Sequence, residues 1–379
     1  MYLYQKQRRY FAQVTGGLEE LAIDELKELG GYGFQPSYRG VFFCAESKNL
    51  YKIVYKSRII TRVLAPLVQF KISDDKTLYG KAKSIRWSDF LNQSRSFRIF
   101  ANIAHSEIKH SQYAAQVLKD AIVDQLREKT GERPSVDLKS PDVVINLYIH
   151  NNKATISLDL SGESLHKRKY RKINTIAPMQ ETLAAAIVRA AKWDGETPLY
   201  DPMCGSGTIL CEALMHYCKI PAAHYKDKFG FMYLPEYHEE DWLFVKKLAD
   251  DQIRELPQNL VFGSDSSPEA IKAAGENLNT FYQGISVNLK VSPFQNLKNL
   301  SNYTIMTNPP YGYRMGNESE LQLTYKIFGD FLKNECKNSL AYVYCGNREL
   351  IKFIGLRTSF KMPMKNGDLD GRLLKFELY

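Results

Sequence analysis

The sequence Asp201-Pro-Met-Cys-Gly-Ser-Gly-Thr208 joins a predicted strand at 197–201 to a predicted helix at 208–217. A glycine-rich turn before a helix N-terminus presents its backbone amides to a ligand at the carboxyl edge of an α/β sheet. The turn lacks the third glycine of a dinucleotide fingerprint, and the chain contains no nucleoside-triphosphate P-loop. Asp201 instead suits a ligand with a cationic group, and Gly205 and Gly207 permit its close approach.

The chain after residue 178 alternates between strands and helices. Further predicted strands lie at 260–265, 287–291, 303–307 and 340–345, and further helices at 179–192, 268–280 and 320–336. The last two segments, 359–364 and 373–378, flank a turn sequence and predict an antiparallel hairpin. This order is typical of an α/β fold, in which helices cover both faces of a mostly parallel sheet.

The second strand of this region ends in Gly263-Ser-Asp265, and a helix with a serine N-cap and a first-turn proline follows at Ser267-Pro268. An acidic side chain at this strand end can accept hydrogen bonds from both hydroxyls of a ribose. Asp265 is therefore the candidate ribose ligand, whereas Ser267 is interpreted as a helix cap.

Thr307-Asn-Pro-Pro-Tyr-Gly312 follows the fourth predicted strand. Consecutive prolines form a rigid bend with free carbonyl groups. The Asn308 side-chain oxygen and the Pro309 carbonyl can both accept from one exocyclic amine, and Tyr311 offers a ring face on which a base can stack. This arrangement predicts an amine site beside the Asp201 turn.

Positive charge is concentrated in the first half of the chain. Residues 1–178 contain 29 Lys/Arg and 18 Asp/Glu, and residues 179–379 contain 22 and 24. Predicted strands at 40–44, 97–103 and 143–148 and helices at 18–29 and 112–129 indicate one or two small α+β modules. A basic module of this kind suits a polyanion, although charge alone equally allows a well-solvated surface.

The run His166-Lys-Arg-Lys-Tyr-Arg-Lys172 has no apolar period and predicts a domain boundary. A solvated linker is the alternative, but beside the basic first half a role in phosphate contact is favoured. The candidate RNA-binding residues are Lys167, Arg168, Lys169, Arg171 and Lys172.

Other compositional signals are weaker. The chain has no apolar stretch of membrane-spanning length and no apolar signal-peptide core after Met1, which predicts a cytoplasmic protein. Cys204, Cys211 and Cys218 recur every seven residues. That spacing suits a metal-binding face or a buried helix stripe, and packing is favoured. No metal is expected.

With these motifs in place, the Asp201–Thr208 block, Asp265 and Asn308-Pro-Pro-Tyr311 resemble motifs I, II and IV of class I S-adenosylmethionine-dependent methyltransferases acting on exocyclic amines. The whole chain resembles the bacterial THUMP-domain RNA methyltransferases of the 23S rRNA guanine-N2 family. The matching stretches include Thr15-Gly-Gly-Leu-Glu-Glu, Leu165-His-Lys-Arg-Lys-Tyr-Arg, Ala177-Pro-Met-Gln-Glu-Thr-Leu, Tyr311-Gly-Tyr-Arg-Met-Gly and Asn366-Gly-Asp-Leu-Asp-Gly-Arg-Leu.

The resemblance implies a Rossmann-like methyltransferase domain with a seven-stranded, mostly parallel sheet, preceded by α+β ferredoxin-like and THUMP domains. The expected divisions are 1–65 (ferredoxin-like), 66–160 (THUMP), 161–178 (basic linker) and 179–379 (methyltransferase). It also implies that S-adenosylmethionine is the cofactor. Its implied ligands are Asp201, Met203, Cys204, Gly205, Gly207, Thr208, Asp265 and Asn308, and the implied catalytic residues are Asn308, Pro309 and Tyr311.

Two positions depart from the family pattern. Motif II has serine after Asp265 where relatives commonly carry a second acid, so Asp265 alone is carried over. Where an acid usually meets the adenine amine, this chain has Val291-Ser-Pro-Phe294, and Ser292 or a main-chain group is expected there.

The implied reaction methylates the N2 amine of a guanosine in 23S rRNA, either naked or in an assembling large ribosomal subunit. A monomer without membrane association is expected. Adenine-N6 methylation of DNA or RNA is the enzymatic alternative, because Asn-Pro-Pro-Tyr offers the same acceptors to either amine. A non-catalytic RNA-binding assembly factor is the third reading, which the intact motifs disfavour.

Overall fold

The computed structural model describes residues 1–173, 179–312, 318–367 and 369–379. These residues form two seven-stranded sheets, one in each half of the chain. The N-terminal strands are β1 (Arg9–Val14), β2 (Tyr32–Ser37), β3 (Gly40–Cys44), β4 (Ile60–Lys71), β5 (Phe97–Ala104), β6 (Val143–His150) and β7 (Lys153–Asp159). The helices around them are α1 (Leu3–Gln7), α2 (Glu19–Glu28), α3 (Ser47–Lys56), α4 (Asp75–Lys83) and α5 (Ser111–Thr130).

The N-terminal strands have the order β2-β3-β1-β4-β7-β6-β5, and β5 and β6 form its parallel pair. The long strand β4 joins the two halves of this sheet. Its first residues pair with β1, and the part from Leu64 to Lys71 pairs with β7. The α+β modules expected in this region therefore share one continuous sheet, and the expected division at 65/66 falls inside β4.

The second half contains β8 (Leu199–Asp201), β9 (Val261–Asp265), β10 (Asn288–Val291), β11 (Thr304–Thr307), β12 (Ser339–Cys345), β13 (Phe360–Pro363) and β14 (Arg372–Leu378). Its helices are α6 (Glu181–Ala190), α7 (Thr208–Tyr217), α8 (Glu239–Asp250), α9 (Pro268–Leu278) and α10 (Glu318–Glu335).

The second sheet has the order β10-β9-β8-β11-β12-β14-β13. Strands β8 to β12 pair in parallel, and β14 pairs antiparallel with both β12 and β13. The predicted α/β fold with a closing antiparallel hairpin is confirmed. Cys204, Cys211 and Cys218 lie in the hydrophobic core, as the packing interpretation predicts.

Hydrogen bonds of buried charged groups connect the two halves of the chain. The Arg58 guanidinium donates to the carbonyl oxygens of Met215 (2.8 Å) and Ile220 (2.6 Å). Its backbone amide donates to the carboxylate of Glu25 in α2 at 2.8 Å. Because one arginine thereby connects α2 to the end of α7, the N-terminal half docks through specific contacts.

The position of Arg168 contradicts its predicted role in phosphate contact. Its side chain is fully buried, with Nε 3.3 Å from the equally buried Glu212 carboxylate, and it also donates to the carbonyl oxygens of Leu165 and Arg58. A guanidinium enclosed in this way cannot reach an RNA phosphate. Arg168 is therefore part of the interface between the two halves.

None of the helices within the described ranges is both long and apolar enough to cross a membrane.

Candidate active site

The predicted ligand residues converge at the carboxyl edge of the second sheet. Strand β8 lies between β9 and β11 and runs parallel to both. Asp201 and Asp265, the last residues of β8 and β9, and Asn308, which follows β11, therefore lie at one edge. Asp201 pairs in register with Gly263, two residues before Asp265. Carboxyl ends of adjacent parallel strands are the usual place for a ligand crevice in α/β sheets.

The 202–207 segment, called the glycine loop here, folds tightly between β8 and α7. The Met203 amide donates to Asp201 Oδ1 at 3.2 Å, and the Gly205 amide donates to Asp265 Oδ2 at 2.9 Å. Gly205 and Gly207 have φ of +54° and +76°, a region that favours glycine. The loop thereby links the two acids directly.

The two glycines serve different purposes. A Cβ at Gly205 would have no atom of the described residues within 4 Å, so no described side chain fills the space beside this position. A Cβ at Gly207 would lie 3.1 Å from the Cβ of Ala274, because the start of α7 packs closely on α9. Gly205 thus leaves room for a ligand, whereas Gly207 permits helix packing.

Asp201 is the electrostatically unusual residue of the site. Its side chain is 1% exposed, and burial raises its pKa to about 7, with a smaller contribution from the nearby Asp265 carboxylate. A cationic ligand group would favour the ionised form and reverse this shift. The position therefore suits the positively charged part of a ligand.

The other predicted cofactor residues lie around this acid. The Cys204 side chain is buried, and its amide donates to the Ser264 carbonyl at 2.9 Å. The Ser292 amide donates to the Asp265 carbonyl at 2.9 Å, and its hydroxyl donates to Pro293 at 3.3 Å. Both oxygens of Asp265 accept backbone amides, from Gly205 and Ser267, and each retains a lone pair for a ribose hydroxyl.

Asn308 carries an unusual acceptor. Its Oδ1 atom is buried and has no hydrogen-bond partner among the described residues. The residue follows β11, in which Thr304–Thr307 are all buried, and precedes the buried Pro309. A buried amide oxygen without a partner is unfavourable, so this atom is a natural acceptor for an incoming amine.

Tyr311 is held by residues of two other elements. Its hydroxyl oxygen accepts from Asn366 Nδ2 at 3.3 Å, and its ring lies edge-on to that of Tyr344, with 6.0 Å between centroids. A Cβ at Gly346 would be 2.3 Å from this ring. Gly346 and Asn366 were not predicted as site residues, because only the fold brings them to Tyr311.

Arg171 lies behind the glycine loop. Its guanidinium donates to the Glu181 carboxylate (2.8 Å), the Ser206 hydroxyl (3.3 Å), the Thr208 hydroxyl (3.0 Å) and the Met179 carbonyl (3.0 Å). These contacts occupy the side chain, so the predicted phosphate contact of Arg171 is wrong. Thr208 is buried with its hydroxyl facing Arg171.

Asn277 completes this support. Its Nδ2 donates to the Ser206 carbonyl at 3.0 Å, and its Oδ1 accepts the amides of Lys172 and Ile173 at 2.8 and 3.2 Å. A polar residue among Ala270, Ala273, Ala274 and Leu278 on the buried face of α9 was a signal that sequence reasoning missed.

The three lysines of the basic run remain exposed. Lys167 pairs with Glu163 at 2.7 Å. The roles of Lys167, Lys169 and Lys172 in RNA binding stay a prediction. The family-like stretches at 177–183, 311–316 and 366–373 each include residues that lie outside the described ranges.

The chain is similar to known protein families along most of its length. Family models match three consecutive parts of the chain: the RlmL ferredoxin-like domain at residues 9–64, the THUMP domain at 73–159 and the RMKL-like methyltransferase domain at 168–375. The expected order of ferredoxin-like, THUMP and methyltransferase folds is confirmed.

Two relatives are similar along nearly the whole chain. "Putative RNA methyltransferase slr0064" from Synechocystis sp. is 39% identical over 373 residues, which cover 98% of this chain and 97% of that protein. "Ribosomal RNA large subunit methyltransferase K/L" from Syntrophotalea carbinolica is 34% identical over 383 residues, covering 98% of this chain and 53% of that protein. The chain thus spans about half the length of this K/L protein.

A solved structure supports the same relationship. "Crystal structure of SMU.472, a putative methyltransferase complexed with SAH" superposes with a TM-score of 0.86 at 25% identity and covers 98% of both chains. The family model for the methyltransferase domain spans more than half of this chain and includes Asp201, Asp265 and Asn308. The chain is a methyltransferase and belongs to the RMKL-like family.

Proposed function

We propose that this protein transfers the methyl group of S-adenosylmethionine to the exocyclic N2 amine of a guanosine in 23S rRNA. One observation carries the proposal: Oδ1 of Asn308 has no hydrogen-bond partner among the described residues and lies at the same sheet edge as Asp201, Asp265 and Gly205. A cofactor crevice thereby adjoins an acceptor for a nucleobase amine. The substrate in this proposal is naked rRNA or an assembling large ribosomal subunit in the cytoplasm.

The residues of the crevice fit S-adenosylmethionine. Asp201 would hold its cationic methionine part, and Asp265 its ribose hydroxyls. Ser292 would face the adenine, because its buried hydroxyl follows β10 beside Asp265. Met203, Cys204, Gly205, Gly207 and Thr208 form or support the loop around these groups. When bound, the cofactor supplies an activated methyl group on a sulfonium.

Asn308 and Pro309 would orient the amine. Their two oxygens accept its two N–H groups, which leaves the nitrogen lone pair directed towards the crevice. Tyr311, fixed by Asn366, would support the base after it has left its helix. No general base is required, since the amine can release its proton to solvent after the transfer.

RNA as the substrate is supported by the match to a THUMP model and by relatives named as RNA or large-subunit rRNA methyltransferases. The basic first half has the charge that a phosphate backbone requires. Lys167, Lys169 and Lys172 would contact phosphate beside the crevice. Guanine N2 is the target implied by the family resemblance.

Nucleoside mass spectrometry tests this function. Unmodified rRNA and duplex DNA are incubated separately with the purified protein and methyl-labelled S-adenosylmethionine. Label in N2-methylguanosine from RNA alone is the expected result. Label in N6-methyladenine would assign the enzyme to the adenine class. Cofactor binding without label in naked rRNA or in isolated precursor particles would indicate a non-catalytic assembly factor.

A further inference from the structure

Two segments from opposite ends of the chain meet in the structure. Thr15-Gly-Gly17, called the docking turn here, connects β1 to α2. Pro363-Met-Lys-Asn366, called the hairpin segment, leads from the end of β13 into the turn before β14. The Lys365 amide donates to the Gly16 carbonyl oxygen at 3.3 Å. The N-terminal half therefore contacts the hairpin that closes the second sheet.

The docking turn is fixed by its own hydrogen bonds and lies very close to the hairpin segment. The Leu18 amide donates to the Thr15 carbonyl at 3.1 Å, and the Gly17 amide donates to the Glu19 carboxylate at 2.8 Å. Gly17 has φ of +92°, and a Cβ there would lie 2.7 Å from the Pro363 carbonyl oxygen. Glycine is therefore required for this close approach.

The hairpin segment also holds two tyrosines of the candidate active site. The carbonyl oxygen of the buried Met364 accepts from the Tyr344 hydroxyl at 3.3 Å, and Asn366 Nδ2 donates to the Tyr311 hydroxyl oxygen at 3.3 Å. The Asn366 backbone is fixed separately, since its amide and carbonyl oxygen bond to Leu369 at 3.0 and 3.1 Å. Consecutive residues of the hairpin segment thus contact the docking turn and the two tyrosines in alternation.

The surroundings of Tyr311 make its position dependent on these contacts. Its side chain is half-buried, and its ring lies edge-on to that of Tyr344 with 6.0 Å between centroids. Because the hairpin segment bonds to both hydroxyl groups, a shift of this segment would move both rings. We infer that the docking turn positions the Tyr311 ring through the hairpin segment, so that Gly17 and Asn366 are positioning residues for methyl transfer.

This inference rests on the proposed function, in which Tyr311 supports the target base, and adds that the N-terminal half helps to align that base. A displaced support should slow the chemical step, because transfer requires precise alignment of the reacting atoms. Cofactor affinity should be unaffected. Strands β8 and β9, which carry Asp201 and Asp265, are separated from β13 and β14 by β11 and β12.

A matched pair of glycine variants of the full chain tests the docking turn. Gly17→Ala adds a methyl group that must displace the Pro363 carbonyl. Gly131→Ala is the control, because Gly131 also lies in the N-terminal half, has φ of +76° and has no atom of the described residues within 4 Å of an added Cβ. Both variants carry the same backbone penalty, so a difference between them reports contact with the hairpin segment.

Lys365→Pro tests the same contact from the hairpin side. The Lys365 amide bonds to Gly16, whereas the preceding Met364 amide bonds across the hairpin to the Gly371 carbonyl at 3.0 Å. Proline at position 365 therefore removes the bond to the docking turn and leaves the pairing within the hairpin in place. This variant adds no atom to the docking turn, so it does not depend on how Gly17→Ala folds.

Two measurements are made on each variant. Single-turnover and steady-state methylation of rRNA give kcat and KM, and fluorine NMR of a fluorotyrosine incorporated at position 311, which retains the hydroxyl group, reports the surroundings of that ring. Gly17→Ala and Lys365→Pro should each lower kcat about tenfold, with KM and S-adenosylmethionine affinity within about twofold of wild type. Both should shift or broaden the fluorine signal, and Gly131→Ala should change neither kcat nor the signal.

A double-mutant cycle tests the last contact of the series. Asn366→Ala and Tyr311→Phe each remove the hydrogen bond between these side chains from one side. Because Tyr311→Phe already lacks the bond, adding Asn366→Ala to it should cause no further loss of kcat. Additive losses in the double variant would overturn the assignment of Asn366 as a positioning residue.

The proposed function and this inference fail in different ways. Methylation by the wild type, together with full kcat and an unshifted fluorine signal in Gly17→Ala and Lys365→Pro, overturns the inference alone. Equal effects of Gly17→Ala and Gly131→Ala, or a loss confined to KM, also overturn it. A fluorine signal that shifts in both docking variants but not in the control, without any methyl transfer by the wild type, overturns the proposed function alone.

Discussion

The Arg171 guanidinium donates through Nη2 to the hydroxyl oxygen of Thr208 at 3.0 Å. Thr208 is the first residue of α7, so this bond connects the basic run after β7 to the helix that follows the glycine loop. Arg171 also pairs with Glu181, which is buried at the start of α6. The segment that leads out of the N-terminal half therefore supports the cofactor side of the crevice.

Arg171→Ala should lower cofactor affinity and the free energy of unfolding, because it leaves the buried Glu181 carboxylate unpaired. Loss of one partner of such a pair costs on the order of 3 kcal/mol. Calorimetric binding of S-adenosylmethionine and chemical unfolding measure both effects. The exposed Lys169→Ala is the matched variant and should change only RNA affinity. If both variants lowered the salt dependence of RNA affinity by the same amount, Arg171 would contact phosphate as Lys169 does, which would contradict its structural role behind the glycine loop.

The prediction of phosphate contact failed for Arg168 and Arg171 for a physical reason. Five basic residues in a run of seven indicate exposure on average, but burial of a particular arginine depends on a distant partner. Glu212 and Glu181 lie 44 and 10 residues away and become neighbours only through the packing of α7 and α6. No local pattern distinguishes these two arginines from Lys167 and Lys169.

Sequence patterns predicted the helices and strands whose formation depends mainly on neighbouring residues. The predicted helix at 208–217 matches α7, and the predicted strand at 260–265 matches β9 to within one residue. The acids at the ends of β8 and β9 converge because parallel pairing alone brings them together. The sequence did not predict that the N-terminal strands form one sheet. The segment Ile60–Lys71 mixes basic and apolar residues without a clear period, and only its long-range pairing with β1 and β7 makes it the strand shared by both modules.

Cofactor affinity should depend on pH through Asp201. With a carboxyl pKa of about 7, the Asp201 side chain is protonated in half of the unliganded molecules at pH 7. Because the acid must lose its proton to pair with a cationic ligand group, S-adenosylmethionine affinity should fall about tenfold per pH unit below 7 and level off above it. Asp201→Asn should bind more weakly and lose this dependence.

The same shift has a consequence for stability. A folded-state pKa above the ordinary value of 3.8 means that the unliganded protein loses stability as the pH rises towards 7. Asp201→Asn should therefore unfold at a higher temperature than the wild type at neutral pH, with a difference that shrinks in acid. A constant difference across pH would show that Asp201 is already ionised.

Alanine substitutions at the two loop glycines should separate ligand space from packing. Gly205→Ala places its methyl group where none of the described residues lies within 4 Å. Stability should therefore fall by only about 1 kcal/mol for the left-handed backbone, while cofactor affinity falls strongly. Gly207→Ala meets Ala274 at 3.1 Å and should mainly destabilise the packing of α7 on α9. Thermal unfolding with and without S-adenosylmethionine measures both. Equal cofactor affinity in Gly205→Ala and wild type would refute a ligand at this position.

Asn308→Ala should reduce the rate of methyl transfer far more than cofactor binding. The substitution removes the acceptor that orients the amine, which should cost about a hundredfold or more in kcat. S-adenosylmethionine affinity should stay within about twofold, because Asp201, Asp265 and the glycine loop are unchanged. The stability of the unliganded protein should change little, because Oδ1 of Asn308 has no hydrogen-bond partner among the described residues. Single-turnover methylation with saturating cofactor gives the rate, and Asn308→Asp, which keeps an acceptor in place, should retain more of it than alanine. An alanine variant with the full wild-type rate would exclude Asn308 from catalysis and leave its buried oxygen without a role.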